Sequence, residues 1–145
     1  MINHDIIQWK ETYSVGIKTI DDQHKGLISM TNDLFLSCLK GDEAARTFFK
    51  KVIHNAVDYI KVHFDTEEKI MRKIAYPEFA AHKKEHENFV AEVLLRVKDF
   101  EEGRKFVPNV FARFLKEWVL GHIAMSDKKY AHFIWSMRQY ERGMA

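Results

Sequence analysis

The sequence predicts an all-α protein: an up-down-up-down antiparallel four-helix bundle with an N-terminal arm and a short C-terminal tail. Three observations predict it. Apolar residues recur in steps of three and four over four long stretches, the repeat of one helix face. Short polar breaks separate the stretches, which favours antiparallel neighbours. Only two prolines and six glycines occur in 145 residues, too few for a turn-rich β fold.

The elements follow in order. The arm, residues 1–17, carries Ile6, Ile7 and Trp9, which are expected to pack onto the bundle. The first helix shows Ile20, His24, Leu27, Ile28, Leu34, Phe35 and Cys38 on one face. Gly41 ends it, and Asp42 is the expected N-cap of the second. The second reads Phe49, Val52, Ala56, Ile60, His63, Glu67, Ile70. Tyr76-Pro77 interrupts, because proline lacks an amide donor. The third reads Phe79, His82, His86, Phe89, Val93, Val97, Phe100, before a solvated turn at 101–105. Pro108 opens the fourth, with Phe111, Leu115, Trp118, His122 and Met125. The bundle spans about 18–130 and the tail about 131–145, where Phe133, Ile134 and Trp135 are expected to pack back. No repeat, low-complexity segment or linker divides the chain, so 1–145 reads as one domain.

Composition narrows the function. Hydrophobic residues are 46% and charged ones 30%, ample for a core and unlike a disordered chain. No run approaches the roughly 20 apolar residues of a membrane span, so no membrane insertion is expected. Net charge is +2, which gives no electrostatic case for nucleic acid. The N-terminus lacks the apolar stretch of a secretory signal, and the single cysteine, Cys38, excludes an internal disulfide framework. Together these point to the cytoplasm. Cys38 reads as a small, inert core residue. His4, His54 and His132 lie off the apolar stripes and read as solvated, surface or supporting residues.

Polar residues intrude on all four stripes: His24, then His63 and Glu67, then His82 and His86, then His122 with Asp127 just beyond. One such histidine is ordinarily a satisfied core residue. Five histidines and two carboxylates facing one core are different. Each would cost several kcal/mol if buried unpaired. A metal is the natural compensator. A step of four leaves side chains about 40° apart and about 6 Å along the axis, so His63–Glu67 and His82–His86 can each chelate. His122–Asp127 is a step of five, about 140° apart on an α-helix. A π-bulge would restore the shared face. Imidazoles and carboxylates without thiolate suit iron, zinc, copper or nickel. Seven donors are too many for one tetrahedral zinc. Two ions bridged by both carboxylates and one solvent-derived oxygen leave one ion six-coordinate and the other five-coordinate, with one open position.

His24 in Asp-Asp-Gln-His-Lys, His63-Phe-Asp-Thr-Glu67, His82-Lys-Lys-Glu-His86 and His122-Ile-Ala-Met-Ser-Asp127 resemble the hemerythrin motif in order and spacing. The resemblance spans residue 9 to about 130. In its length, Trp9 arm and tail the chain is similar to the single-domain bacteriohemerythrins. The resemblance implies two non-haem iron ions (Fe2+/Fe3+) with an oxo or hydroxo bridge, binding dioxygen reversibly. It implies that His82, His86 and His122 hold the six-coordinate iron, that His24 and His63 hold the five-coordinate one, and that Glu67 and Asp127 bridge. It implies an oxygen pocket at Leu27, Phe64, Trp118, Val119 and Ile123, positions that equally suit ordinary packing. Two ferrous ions can give dioxygen one electron each, and the core keeps the same net charge as it reacts, so no large desolvation cost opposes release. Asp21, Asp22, Gln23 and Glu85 are candidates to orient the imidazoles.

The expected role is an oxygen carrier, storage or delivery protein, not an enzyme, with an oxygen-consuming enzyme as the partner in delivery. Within the family the alternative is an oxygen, redox or nitric-oxide sensor or an iron handler. Two other classes fare worse. A ferritin-like oxidase needs Glu-x-x-His motifs, and the chain has none. Two-metal hydrolysis needs a substrate clamp, and neither a phosphate loop nor an arginine cluster is present.

Overall fold

The computed structural model describes residues 5–144; His4 lies outside them. An extended arm with a 3-10 turn at Glu11–Tyr13 leads into α1 (Lys18–Leu39), α2 (Asp42–Lys73) and α3 (Phe79–Glu101). Next, α4 (Pro108–Gly121) runs into a π-helical segment, His122–Asp127, and on into α5 (Lys128–Met144). These last three pieces form the fourth helix of the bundle. The tail is thus helical and continues that helix without a break. α1 lies against α2 and α4, and α2 against α3. No strand occurs among the described residues, and no helix there is long and apolar enough to cross a membrane.

The connections explain the helix ends. Gly41 links α1 to α2 with φ +117°, a conformation open to glycine and costly for other residues. Its carbonyl accepts the Ala45 amide, so Gly41 occupies the N-cap position expected of Asp42. Asp42 moves into the first turn, where its carboxylate pairs with Arg46 at 2.7 Å. At the next break the Phe79 amide bonds the Tyr76 carbonyl, placing Pro77 second in a tight turn before the helix. Pro108 is the first residue of α4, where its missing amide costs nothing.

Two apolar clusters cap the ends of the bundle, and the polar stripe residues lie between them. At one end Phe49 sits 4.6 to 5.2 Å, ring to ring, from Phe100, Phe106 and Phe111. At the other, Ile20, Met71, Tyr76 and Tyr130 are buried together, with Phe133 and Ile134 packed on them. Trp135 corrects the expectation for the tail: it is 58% exposed and stacks on exposed His132. One residue past Ile134 turns the side chain about 100° around the helix, away from the core. His54 lies at the surface, 3.0 Å from Glu101. Cys38 is half-buried against the main core.

Around Ile7 the arm is fastened by the Asn32 side chain. Asn32 on α1 accepts the Ile7 amide at 2.9 Å and donates to the Ile7 carbonyl at 2.8 Å, as a neighbouring strand would. Ile7 then packs with Ile28, Val119 and Ile123, with Ile6 and Trp9 around them. Between α1 and α2 the approach is close at Gly26, where a β-carbon would collide with the Tyr59 hydroxyl. That hydroxyl donates to the Gln23 carbonyl at 3.0 Å.

Candidate metal centre

All seven polar stripe residues are buried, and His24, His63, Glu67 and Asp127 are fully so. They fall into two groups. Glu67, His82, His86, His122 and Asp127 bring donor atoms within 4.8 Å of one another, and so do His24, His63, Glu67 and Asp127. The groups share both carboxylates, and each carboxylate divides its oxygens between them. Asp127 turns Oδ1 to His122 (2.9 Å) and His82 (3.0 Å), and Oδ2 to His24 (2.8 Å). Glu67 turns Oε2 to His82 (3.3 Å), His86 and His122 (both 3.8 Å), and Oε1 to His63 and to His24 (3.4 Å). The π segment makes the sharing possible. Its wider turn brings His122 and Asp127 to one side, which the step of five denies an α-helix.

The donor set fits metal ions. His63 Nε2, Glu67 Oε2 and both Asp127 oxygens are buried without a properly formed hydrogen bond, although polar atoms crowd them. The His122 Nε2 lies 3.0 Å from that of His86 and 3.3 Å from that of His82. Nitrogens about 2.1 Å from one ion and at right angles stand about 3 Å apart. The charges agree. Burial pushes the His24 imidazole down, but Asp127 and Glu67 outweigh it and hold its pKa at about 9. The carboxylates prevail over burial at His82 and His122 too, raising both. Burial, helped by the neighbouring imidazoles and resisted by Glu67, drops His86 to about 3. Glu67 and Asp127 stay low against burial because imidazoles surround them, His122 foremost. Together these side chains attract positive charge.

A model of the hemerythrin HHE cation binding domain matches residues 15–134. The chain belongs to the hemerythrin family. The bacteriohemerythrin of Methylococcus capsulatus is 34% identical over 118 residues, covering 81% of this chain and 88% of that protein. The bacteriohemerythrin of Stenotrophomonas maltophilia is 33% identical over 126 residues, 87% of this chain and 80% of that one. A crystal structure of wild-type hemerythrin matches with TM-score 0.79 at 32% identity, covering 87% of this chain and 95% of that one.

Around this hemerythrin cluster, outer groups orient the imidazoles. Gln23 Oε1 lies 2.6 Å from His63 Nδ1, and Glu85 Oε2 lies 3.3 Å from His122 Nδ1. Burdened with a proton at Nδ1, each ring turns Nε2 inward. The bond to His122 holds the Glu85 carboxyl down at about 2. The other two candidates do different work. Asp21 accepts the Ser14 hydroxyl and the Val15 amide, fixing the end of the arm. Asp22 pairs with exposed Lys18. Two residues escaped the sequence reading. Glu68 Oε2 lies 3.0 Å from His86 Nδ1, a contact between helices that no local spacing signals. Tyr130 is fully buried beside the His82 ring, its hydroxyl without a hydrogen-bond partner among the described residues. Its step of three from Asp127 was the available signal.

Leu27, Phe64, Trp118 and Val119 line an apolar cavity of about 110 Å³ that runs on between α1 and α2 past Met30, Val52 and Ala56. Ile123 lies apart from it, in the cluster under the arm. Phe64 and Trp118 also hold the imidazoles. Phe64 stacks on His86 at 3.8 Å and Trp118 on His122 at 4.4 Å, ring to ring.

Proposed function

We propose that this chain binds dioxygen reversibly at a centre of two non-haem irons, as a carrier or store. The observation that supports it best is the pair of donor sets sharing Glu67 and Asp127, each carboxylate with one oxygen toward each set. In this reading His82, His86 and His122 would hold one ion and His24 and His63 the other, and Glu67 and Asp127 would serve both. Two ferrous ions, when bound, supply the two electrons that dioxygen takes up and recover them on its release.

The chain's own residues provide the rest. The two-histidine set is one nitrogen poorer than the three-histidine set, so that side has room for a small ligand. Glu68, Glu85 and Gln23 keep Nε2 of His86, His122 and His63 available. The apolar cavity beside Phe64 and Trp118 admits a nonpolar gas and disfavours water and ions, whose protons would promote irreversible loss of reduced oxygen. In this role residues 1–145 act as one domain in the cytoplasm, where a lone thiol is ordinary.

The test is optical. Metal-free protein is loaded anaerobically with ferrous iron, the iron is counted, oxygen is admitted, and argon then strips it. Two irons per chain and a coloured adduct that forms and fades through repeated cycles are expected. A one-way change to a stable ferric form overturns reversible binding and favours sensing or oxidase chemistry. Fewer than two irons in a folded protein overturns the assignment of the seven donors. Hydrolytic activity surviving replacement of iron by zinc would point to the two-metal hydrolase class instead.

A further inference from the structure

The groups behind the two donor sets differ in charge. Behind the three-histidine set stand two carboxylates, Glu68 at 3.0 Å from His86 Nδ1 and Glu85 at 3.3 Å from His122 Nδ1. Behind the two-histidine set stands a neutral amide, Gln23 at 2.6 Å from His63 Nδ1, while His24 Nδ1 has no hydrogen-bond partner among the described residues. The arrangement is held in place on both sides. Ser126, within the π segment, donates its hydroxyl to Glu85 Oε2 at 2.7 Å. The segment that turns Asp127 inward therefore also fixes Glu85. Gln23 Nε2 faces the Thr66 hydroxyl at 3.4 Å, which leaves its oxygen for His63. Glu68 lies at the base of a groove between α2 and α3 that reaches His86 from solvent.

A carboxylate that accepts an imidazole N–H draws the proton outward and makes the opposite nitrogen a stronger donor. A neutral amide does so weakly. Negative charge behind a ligand also favours the more highly charged ion in front of it. Both effects act on the same side. We propose that Glu68 and Glu85 are positioning residues that make the three-histidine side the preferred seat of the ferric ion when the two irons differ by one electron. Starting from the diferric centre, the first electron then goes to the iron of His24 and His63, and the second to the iron of His82, His86 and His122. The electrons come from an electrode or a chemical titrant, and no other bond need change.

This inference rests on the two-iron reading, and its test separates the two. Protein loaded with iron is first assayed for metal, then reduced stepwise without oxygen while both one-electron potentials are recorded. Glu68→Gln and Glu85→Gln keep an acceptor oxygen and remove the charge. Each is expected to raise the second potential by about 59 mV, a tenfold change in that equilibrium, and to move the first much less. Gln23→Glu places a charge behind the other side and is expected to lower the first potential by a similar amount. A merely structural role would not give shifts of opposite sign on different steps. Two irons per chain with both potentials unmoved, or moved together, overturns this inference and leaves the oxygen reading standing. Fewer than two irons in the parent protein overturns both.

Discussion

Glu67 and Asp127 have no exposed surface, and a buried carboxylate keeps its charge only among cations. Without metal those cations are protons on His24, His82 and His122, and bound metal displaces them. The pH dependence of stability follows. An unfolded histidine titrates near 6.5, whereas folded His24 titrates at about 9. A raised pKa contributes stability fully below the unfolded value and loses it as pH rises through the folded one. His82 and His122 act with the same sign. The metal-free protein is therefore expected to lose thermal stability steadily from pH 6.5 to 9, on the order of a few kcal/mol for His24. The metal-loaded protein, whose imidazoles carry no such proton, is expected to hold steady or gain. Melting curves of both forms across that range decide it, and a flat metal-free profile would refute the account. At this scale the donors were legible because a charged or imidazole side chain on an apolar stripe is expensive and needs a reason. Glu68 was not legible. It follows Glu67 by one residue, faces about 100° away, and acquires its partner only when α3 packs against α2.

α1 to α4 were legible from their repeats of three and four, and each break from a glycine or a proline, but the helical continuation of the tail as α5 was not. The step of five from His122 to Asp127 marked the π segment, because no α-helix puts those two on one side. What the pattern could not carry is how a helix ends when no glycine is present. α2 ends at Lys73, and Ala75 follows with φ +52°. The Ala75 amide bonds the Arg72 carbonyl and the Tyr76 amide bonds the Met71 carbonyl, the paired bonds of a left-handed helix stop. Tyr76 and Met71 are buried together, so that contact selects the stop despite the alanine. An L-residue pays about 1 kcal/mol or more in this conformation, and glycine does not. Ala75 is exposed, so no packing is lost on truncation. Ala75→Gly is expected to stabilise the protein by about 0.5 kcal/mol after the extra entropy of glycine in the unfolded chain is deducted. Urea denaturation measures it, and a loss of more than about 1 kcal/mol would show that the methyl group has a role this geometry does not explain.

Across the whole molecule, the centre is shielded by residues that contribute no donor. The aromatic cluster around Phe49 closes one end of the bundle and the Tyr76–Tyr130 cluster the other. The seam between α1 and α4 is closed from outside by the arm, whose Ile7 covers Ile28, Val119 and Ile123. The stretch around Ile7 carries little core of its own and is fastened by the two bonds from Asn32 to Ile7, while Asp21 and Lys128 hold the end of the arm at Ser14 and Val15. Asn32→Leu keeps roughly the side-chain volume and removes both bonds, leaving the Ile7 amide and carbonyl unpaired. The expected cost is about 1–3 kcal/mol if the arm stays docked, and less if it detaches and returns Ile7 to water. Hydrogen exchange separates these cases. In the second, the Ile7 amide loses protection while amides of α1 and α4 keep theirs. Detachment uncovers Val119 and Ile123, one turn of helix or less from His122. An oxygenated centre of the proposed kind then meets water more readily, and its irreversible conversion to the ferric form is expected to quicken several-fold at unchanged iron content. An Asn32→Leu protein with a freely exchanging arm and an unchanged rate of conversion would show that the arm is fastened for stability alone.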